Sequence, residues 1–306
     1  MSNSISTITK YAGYLDEVYK MSSRTAVLDT PDALVQETGV AGTVKVAKIS
    51  LSGLGDYSRA TGFVDGDETL SWETLTLTHD RGRSFSIDAM DDNETLGLAF
   101  GKLASTFIRE KVAPEVDAIR FAQYAAKSGY TVTGVTLTNS TAVPAITAAE
   151  TAMEENEVDL NGAYLFITPT VYGFIKDDKD HFSRTLIPSE NPNRNFGTFD
   201  DMTVIRVPQK RFYTAITLYD GKTKETSNDQ TAGGYIKDAT NGKDINFMII
   251  AQGAVVQVTK HAKLRVFDPD TNQKSDAWKV DYRIYHDAWV LDNKKAGIYC
   301  HAKAAS

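Results

Sequence analysis

A chain of 306 residues, 42% hydrophobic and 24% charged, is long enough for two folded regions with real cores. Its 40 acids against 33 basic residues leave a formal charge of −7, which argues against gripping nucleic acid through general basicity. No apolar run approaches the roughly 20 residues of a membrane span, the start Met-Ser-Asn-Ser-Ile-Ser has no secretory pattern, and the single Cys300 cannot form an intrachain disulfide.

Residues 1–45 are rich in Ser and Thr, with one short helical candidate at Tyr14–Met21, and read as an extended arm. From Thr61 to Asp88 the pattern is strand, turn, strand: Thr69–Thr78, His79–Gly82, Arg83–Asp88. Leu70 with Trp72, Leu75 with Leu77, and Phe85 with Ile87 alternate with polar residues at a strand's period of two. The parity changes between Trp72 and Leu75, where a bulge is expected. This hairpin carries too little apolar surface to stand alone in water, so something outside it must hold it.

A helix then runs from Asn93 to Lys127. Asp91–Thr95 supplies N-cap residues and first-turn carboxylates. Leu96, Phe100, Leu103, Phe107, Ile108, Val112, Val116, Ile119 and Tyr124 follow at helical spacing. About 35 residues would span about 50 Å. Pro114 predicts a kink or break near Lys111, and Gly129 a stop. Tyr130–Leu137 reads as a strand or strand pair.

Residues 144–250 alternate helix and strand. A helix begins with Pro144 at its first position and runs to Glu157, and a buried strand follows at Ala163–Thr168. A short helix occupies Pro169–Ile175, with strands at Met202–Val207, Ala215–Tyr219 and Ile245–Ile250. The polar loop Asp220–Asp244 is longer than a compact domain needs without a purpose. The remainder is β-rich, at Val255–Val258, Leu264–Phe267, Trp278–Leu291 and Ile298–His301.

The residues offer little chemistry. Ser52-Gly-Leu-Gly-Asp-Tyr57 lacks the third glycine and following helix of a dinucleotide loop, so a turn is the better reading. The five histidines lack metal-ligand spacing; His286 and His301 would meet only across neighbouring strands near Cys300, and core or surface roles are preferred. Asp268–Asn272 starts like a calcium loop, but Gln273 and Lys279 stand where glycine and the closing acid belong, so a Pro-Asp turn is preferred. The carboxylates of Glu150–Asp159 and Asp177–Asp180 read as solvated faces. Asp80-Arg81-Gly82-Arg83, expected at a projecting tip, is either a solubilising surface or a dock for a complementary patch.

The order of parts, together with Ala113–Ala118, Ala254–Arg265, Phe267–Asn272 and Tyr282–Ala288, resembles the major capsid protein of tailed double-stranded DNA bacteriophages, a fold shared with bacterial encapsulins. The resemblance implies an α+β fold with an N-terminal arm (1–55), an extended β-hairpin loop over a neighbouring subunit (56–92), and a spine helix opening the peripheral domain (93–143). An α/β axial domain (144–250) would follow, with the rest of the peripheral domain at 251–306. It implies a non-enzymatic subunit of hexamers and pentamers in an icosahedral head around double-stranded DNA, held without sequence-specific contacts, and no cofactor, metal or membrane. A scaffolding protein supplied separately or cleaved away, a portal and decoration proteins would be its partners. Its place would be the virion, assembled in the bacterial cytoplasm.

No lysine occurs between Lys48 and Lys102, which predicts that the lysine–asparagine cross-link of some relatives is missing. Subunit contacts are expected at Trp72, Asp80, Arg81, Arg83, and the loop bounded by Asp220 and Asp244. The alternatives are an encapsulin-type compartment and, from another class, a cytoplasmic acid/base hydrolase using carboxylates of 144–250.

Overall fold

The structure, a computed structural model, describes residues 23–30, 36–37, 42–60, 62–63, 65, 68–88, 105–177, 187–188, 197–200, 202–225, 229–272 and 275–304. The expected arm helix at Tyr14–Met21 and the N-cap at Asp91–Thr95 lie outside them. In chain order the strands and helices are β1 (Gln36–Glu37), β2 (Thr43–Leu51), β3 (Glu68–Thr76), β4 (His79–Asp88), α1 (Ala113–Lys127), β5 (Tyr130–Val132), α2 (Asn139–Glu154), β6 (Tyr164–Ile167) and α3 (Pro169–Asp177). They continue with β7 (Ile187–Pro188), β8 (Gly197–Phe199), β9 (Met202–Arg206), β10 (Ile216–Leu218), β11 (Tyr235–Lys237), β12 (Ile245–Ile250), β13 (Val255–Phe267), β14 (Ala277–Val290) and β15 (Ile298–Ala302).

The helix before α1 does not break at Pro114. It passes through a π-helical turn at Ile108–Val112, where the Ala113 N–H reaches back to the Ile108 carbonyl. Proline has no N–H to offer and its ring crowds the carbonyl four residues back, so one wider turn relieves both problems where the sequence predicts an irregularity. At the other end α1 stops at Lys127. Gly129 is needed there for close approach: a Cβ would lie 2.5 Å from the Lys295 carbonyl oxygen.

A seven-stranded mixed sheet in the order β5-β15-β12-β6-β9-β8-β7 forms the main core, and two of its strands come from outside residues 144–250. All six residues of β12 are buried, as a central strand covered on both faces requires. Phe247 and Ile249 join Ile146, Met153 and Val171 of α2 and α3 on one face. Met248 and Ile250 join Phe121 and Tyr124 of α1 on the other. The Phe121 ring packs edge-on against Phe166 and Phe212, with centroids 5.2 and 4.8 Å away. α2 starts earlier than expected: a capping box between Thr138 and Thr141 sets its N-terminus, and Pro144 lies inside it.

The expected hairpin is corrected by the strand pairing. β3 pairs with β2 from Thr43↔Thr76 to Leu51↔Glu68. β4 pairs with β14 from Ala277↔Asp88 to His286↔His79. Only Leu77 and Thr78 separate β3 from β4, yet the two strands enter different sheets. The projecting flap is therefore β2–β3, and the sheet β13-β14-β4 belongs to the body. No bulge interrupts β2–β3 between Trp72 and Leu75. The parity change marks where the flap leaves the body: Leu75 and Leu77 are buried with Val44, Val46, Val256 and Leu291, whereas Trp72 on the opposite face is exposed.

Candidate assembly surface

The flap's root is built from side chains of three elements. Leu77 donates its N–H to the Gly42 carbonyl at 2.9 Å, and the Tyr285 hydroxyl donates to the Leu77 carbonyl at 3.1 Å. Gly42 has φ +80°, and a Cβ there would sit 2.5 Å from the Tyr285 hydroxyl, so conformation and space both call for glycine. Thr78 donates its N–H and its hydroxyl to Oδ2 of the buried Asp287, each at 2.8 Å. Gln123 of α1 donates to Oδ1 of the same carboxylate, and the His79 ring approaches it at 3.2 Å. Burial alone would raise this carboxyl, but the bonds from His79, Gln123 and Thr78 outweigh it and hold Asp287 well below the usual range.

His286, beside Asp287, is fully buried, and its ring stacks on His79 with centroids 5.9 Å apart. Burial, with the charge of Arg120 and the neighbouring His79, pushes its pKa down to about 3, so the ring is neutral.

The far end of the flap is the opposite in character. Residues 52–60 are all exposed, and Leu54, Phe63 and Tyr57 expose 107%, 87% and 61% of their surface. Ser58 and Gly62 close the tip with reciprocal backbone bonds, and the Tyr57 and Phe63 rings touch at 4.8 Å between centroids. Three large apolar side chains, alternating in sequence with Asp56, Arg59 and Asp65, are thus presented to solvent on the loop that joins β2 to β3.

The expected contact residues are distributed differently. Trp72 is exposed on the flap. Asp80, Arg81 and Arg83 do not form a tip; they lie along β4 and are engaged within the chain. Asp80 pairs with Arg283 of β14. Arg81 donates to Glu115 at 2.6 Å and to the Gly234 carbonyl, and Arg83 grips the Thr231 carbonyl at 3.1 Å. The two arginines thus tie the Asp220–Asp244 loop to the body, bordering a cleft of about 950 Å³ with Lys111, Lys210 and Arg211.

The loop itself folds back as the β10–β11 ribbon. Asp220 accepts from the Thr223 hydroxyl and from the Thr223 and Lys222 N–H groups, which lower its pKa to about 2. Asp244 accepts from Lys237 at 3.2 Å. Both carboxylates shape the loop.

His286 and His301 do not meet; His301 is on β15, in another sheet, with its Nδ1 3.1 Å from Asn246 Nδ2. Among the described residues no group of three His, Cys, Asp or Glu side chains is placed to hold a metal ion. Cys300 is buried, and burial pushes its thiol up to about 12. Reading the sequence missed Leu54, Tyr57 and Phe63, whose only local signal was apolar residues inside a Gly/Ser turn. It also missed Asp287, whose partners are 164 and 209 residues away.

An α+β body carrying a proline-marked helix, a flap built on the β1-β2-β3 sheet and an α/β sheet is the fold of phage capsid shells. The Helicobacter pylori bacteriophage KHP40 head has a similar structure, with a TM-score of 0.60 and 13% identity over 93% of this chain and 91% of that one. The mature capsid of bacteriophage PhiM1 matches at TM-score 0.54 and 12% identity, covering 87% and 83%. A virus-like particle from Pyrococcus furiosus matches at TM-score 0.55 and 11% identity, covering 96% and 99%. No protein-family model matches the chain, and no curated protein sequence does. The likeness is one of fold, and the fold is the tailed-phage major capsid fold that the sequence resembles.

Proposed function

We propose that this chain is a structural subunit of a closed protein shell, built by self-association into hexameric and pentameric capsomers around packaged double-stranded DNA. The observation that carries this reading is the flap: its root is locked into the body, while its tip presents Leu54, Tyr57 and Phe63 to solvent. A ribbon with an apolar end and no core of its own gains stability by covering that end on another molecule. The likeness to phage head and capsid structures supports a second copy as that molecule. In this reading the net charge of −7 keeps the packaged DNA from adhering to the wall. Scaffolding, portal and decoration proteins would be the other partners, and the virion the location.

The likeness to a virus-like particle favours one second reading, an encapsulin-type compartment holding cargo protein. The hydrolase alternative gains no support. Among the described carboxylates of residues 144–250, Glu150 is the one burial perturbs most, raised with the charges of Asp200 and Glu154, and it does not line the cleft; Asp220, which does, is held ionised by its own loop.

Sedimentation and electron microscopy of the full chain test the reading. Closed particles of megadalton mass, or free capsomers, are expected, and a small oligomer with hydrolytic turnover would refute it. Nucleic-acid content then separates a genome container from a cargo compartment.

A further inference from the structure

The flap is not the only segment pinned to α1: residues 23–30, which turn through a short 3-10 helix at Ala26–Leu28, dock on it as well. Asp117, fully buried, accepts from the Ser23 hydroxyl at 2.7 Å, the Arg24 N–H at 2.9 Å and the Thr25 hydroxyl at 2.8 Å. Arg211, from the segment after β9, reaches the same carboxylate at 3.2 Å. One turn on, the buried Arg120 donates to Thr25 Oγ1 at 3.0 Å and pairs with Asp29 at 3.3 Å. Its other nitrogen reaches Thr259 of β13 at 3.4 Å. Thr259 pairs with His286, and His286 stacks on His79 beside Asp287 and Thr78. Gln123 closes the path from α1 to Asp287.

Asp117, Arg120 and Gln123 are spaced by three, so successive side chains turn by about 60° and form one polar strip along α1. One end holds the segment at Ser23–Leu28 and the other holds the flap root. The charged groups at the centre of the strip, Asp117, Arg120 and Asp287, are buried, where a charged group without its partner is costly. A shift at one end therefore leaves Arg120 or Asp287 underpaired unless the other end follows.

We propose that this strip is a coupling device: docking of residues 23–30 on α1 sets the orientation and rigidity of the flap, and the flap root in turn steadies the docked segment. The device acts within one chain, and its failure would leave the shell reading standing.

The test uses the full chain in its unassembled form. Ser23→Ala/Thr25→Val removes the two hydroxyls on Asp117 without touching the flap. Amide hydrogen exchange is expected to quicken about tenfold or more at Thr78, whose N–H bonds to the Asp287 carboxylate, and at Leu77 beside it, as the flap root loosens. Spin labels at Trp72→Cys on the flap and Thr151→Cys on α2 should show a broadened distance distribution; buried Cys300 stays unlabelled. The reverse experiment is Gln123→Ala, which should quicken exchange over residues 23–30, since coupling free energies are reciprocal. Each variant stands alone if the other fails to fold. Faster exchange confined to the altered end, with the far end and the label distances unchanged, would overturn the proposal.

Discussion

Thr78 spends both of its donors on one carboxylate oxygen of Asp287, 209 residues further along the chain. That relationship fixes where the polypeptide leaves the flap and enters the body. Asp287→Ala would leave Thr78 and Gln123 without their buried acceptor and is expected to destabilise the chain by about 3 kcal/mol. Thermal unfolding should show the loss, and Thr78→Val should show a smaller one of about 1–2 kcal/mol. A null effect for Asp287→Ala would mean the root is held by its apolar contacts alone.

The second expectation concerns acid. His286 has a folded pKa of about 3, below its ordinary value, so the unfolded chain takes up this proton first. Its contribution is intact above about pH 6.5 and is lost progressively as pH falls from there toward 3. His286→Phe should therefore lessen the fall in melting temperature between pH 6.5 and 4. A slope unchanged by the substitution would show that the ring is solvated or paired.

Glu150 has the opposite sense. Burial, with Asp200 and Glu154 nearby, raises its carboxyl to about 8, so the folded chain holds this proton longer than the unfolded one. The proton's stabilising effect is full below about pH 4.5 and fades as pH rises toward 8. Glu150→Gln keeps the neutral shape and should be near neutral at pH 5 while stabilising at pH 8.5, by on the order of 2 kcal/mol. Melting curves at the two pH values decide it; equal effects at both would contradict the raised value.

The elements with a strong local pattern were legible. The helix into Lys127, the short helix at Pro169–Asp177 and the wholly buried Ile245–Ile250 follow from spacing and apolar content. Strand partners were not, because alternation shows that a segment is extended without showing what it pairs with. His79–Gly82 looked like a turn and Arg83–Asp88 like the return arm of a hairpin, yet all of His79–Asp88 is one strand whose partner is Ala277–Val290. The flap's first strand, Thr43–Leu51, was hidden because it sits in a stretch read as arm. The polar strip of Asp117, Arg120 and Gln123 carries no sequence motif: only folding brings residues 23–30, 78 and 287 to it.

That relocation of the flap changes the cross-link expectation. Lys45 and Lys48 lie on the flap's first strand, while none of its residues after Lys48 is lysine. We expect subunits from mature particles to run as a single band on denaturing gels, since the tip offers no amine. A ladder of covalent multimers abolished by Lys45→Arg/Lys48→Arg would locate a bond on that strand instead.

The apolar flap tip is the point on which the shell reading rests. Because His79–Asp88 is part of the body sheet, deleting it would damage the body, so the decisive variant is Leu54→Ser/Phe63→Ser. Electron microscopy of this variant beside the parent chain should show closed particles only for the parent. The variant should remain dispersed with a melting temperature matching unassembled parent subunits, as exposed substitutions cost little. Normal shells from the variant, or a parent chain that stays monomeric in every condition tried, would contradict the account.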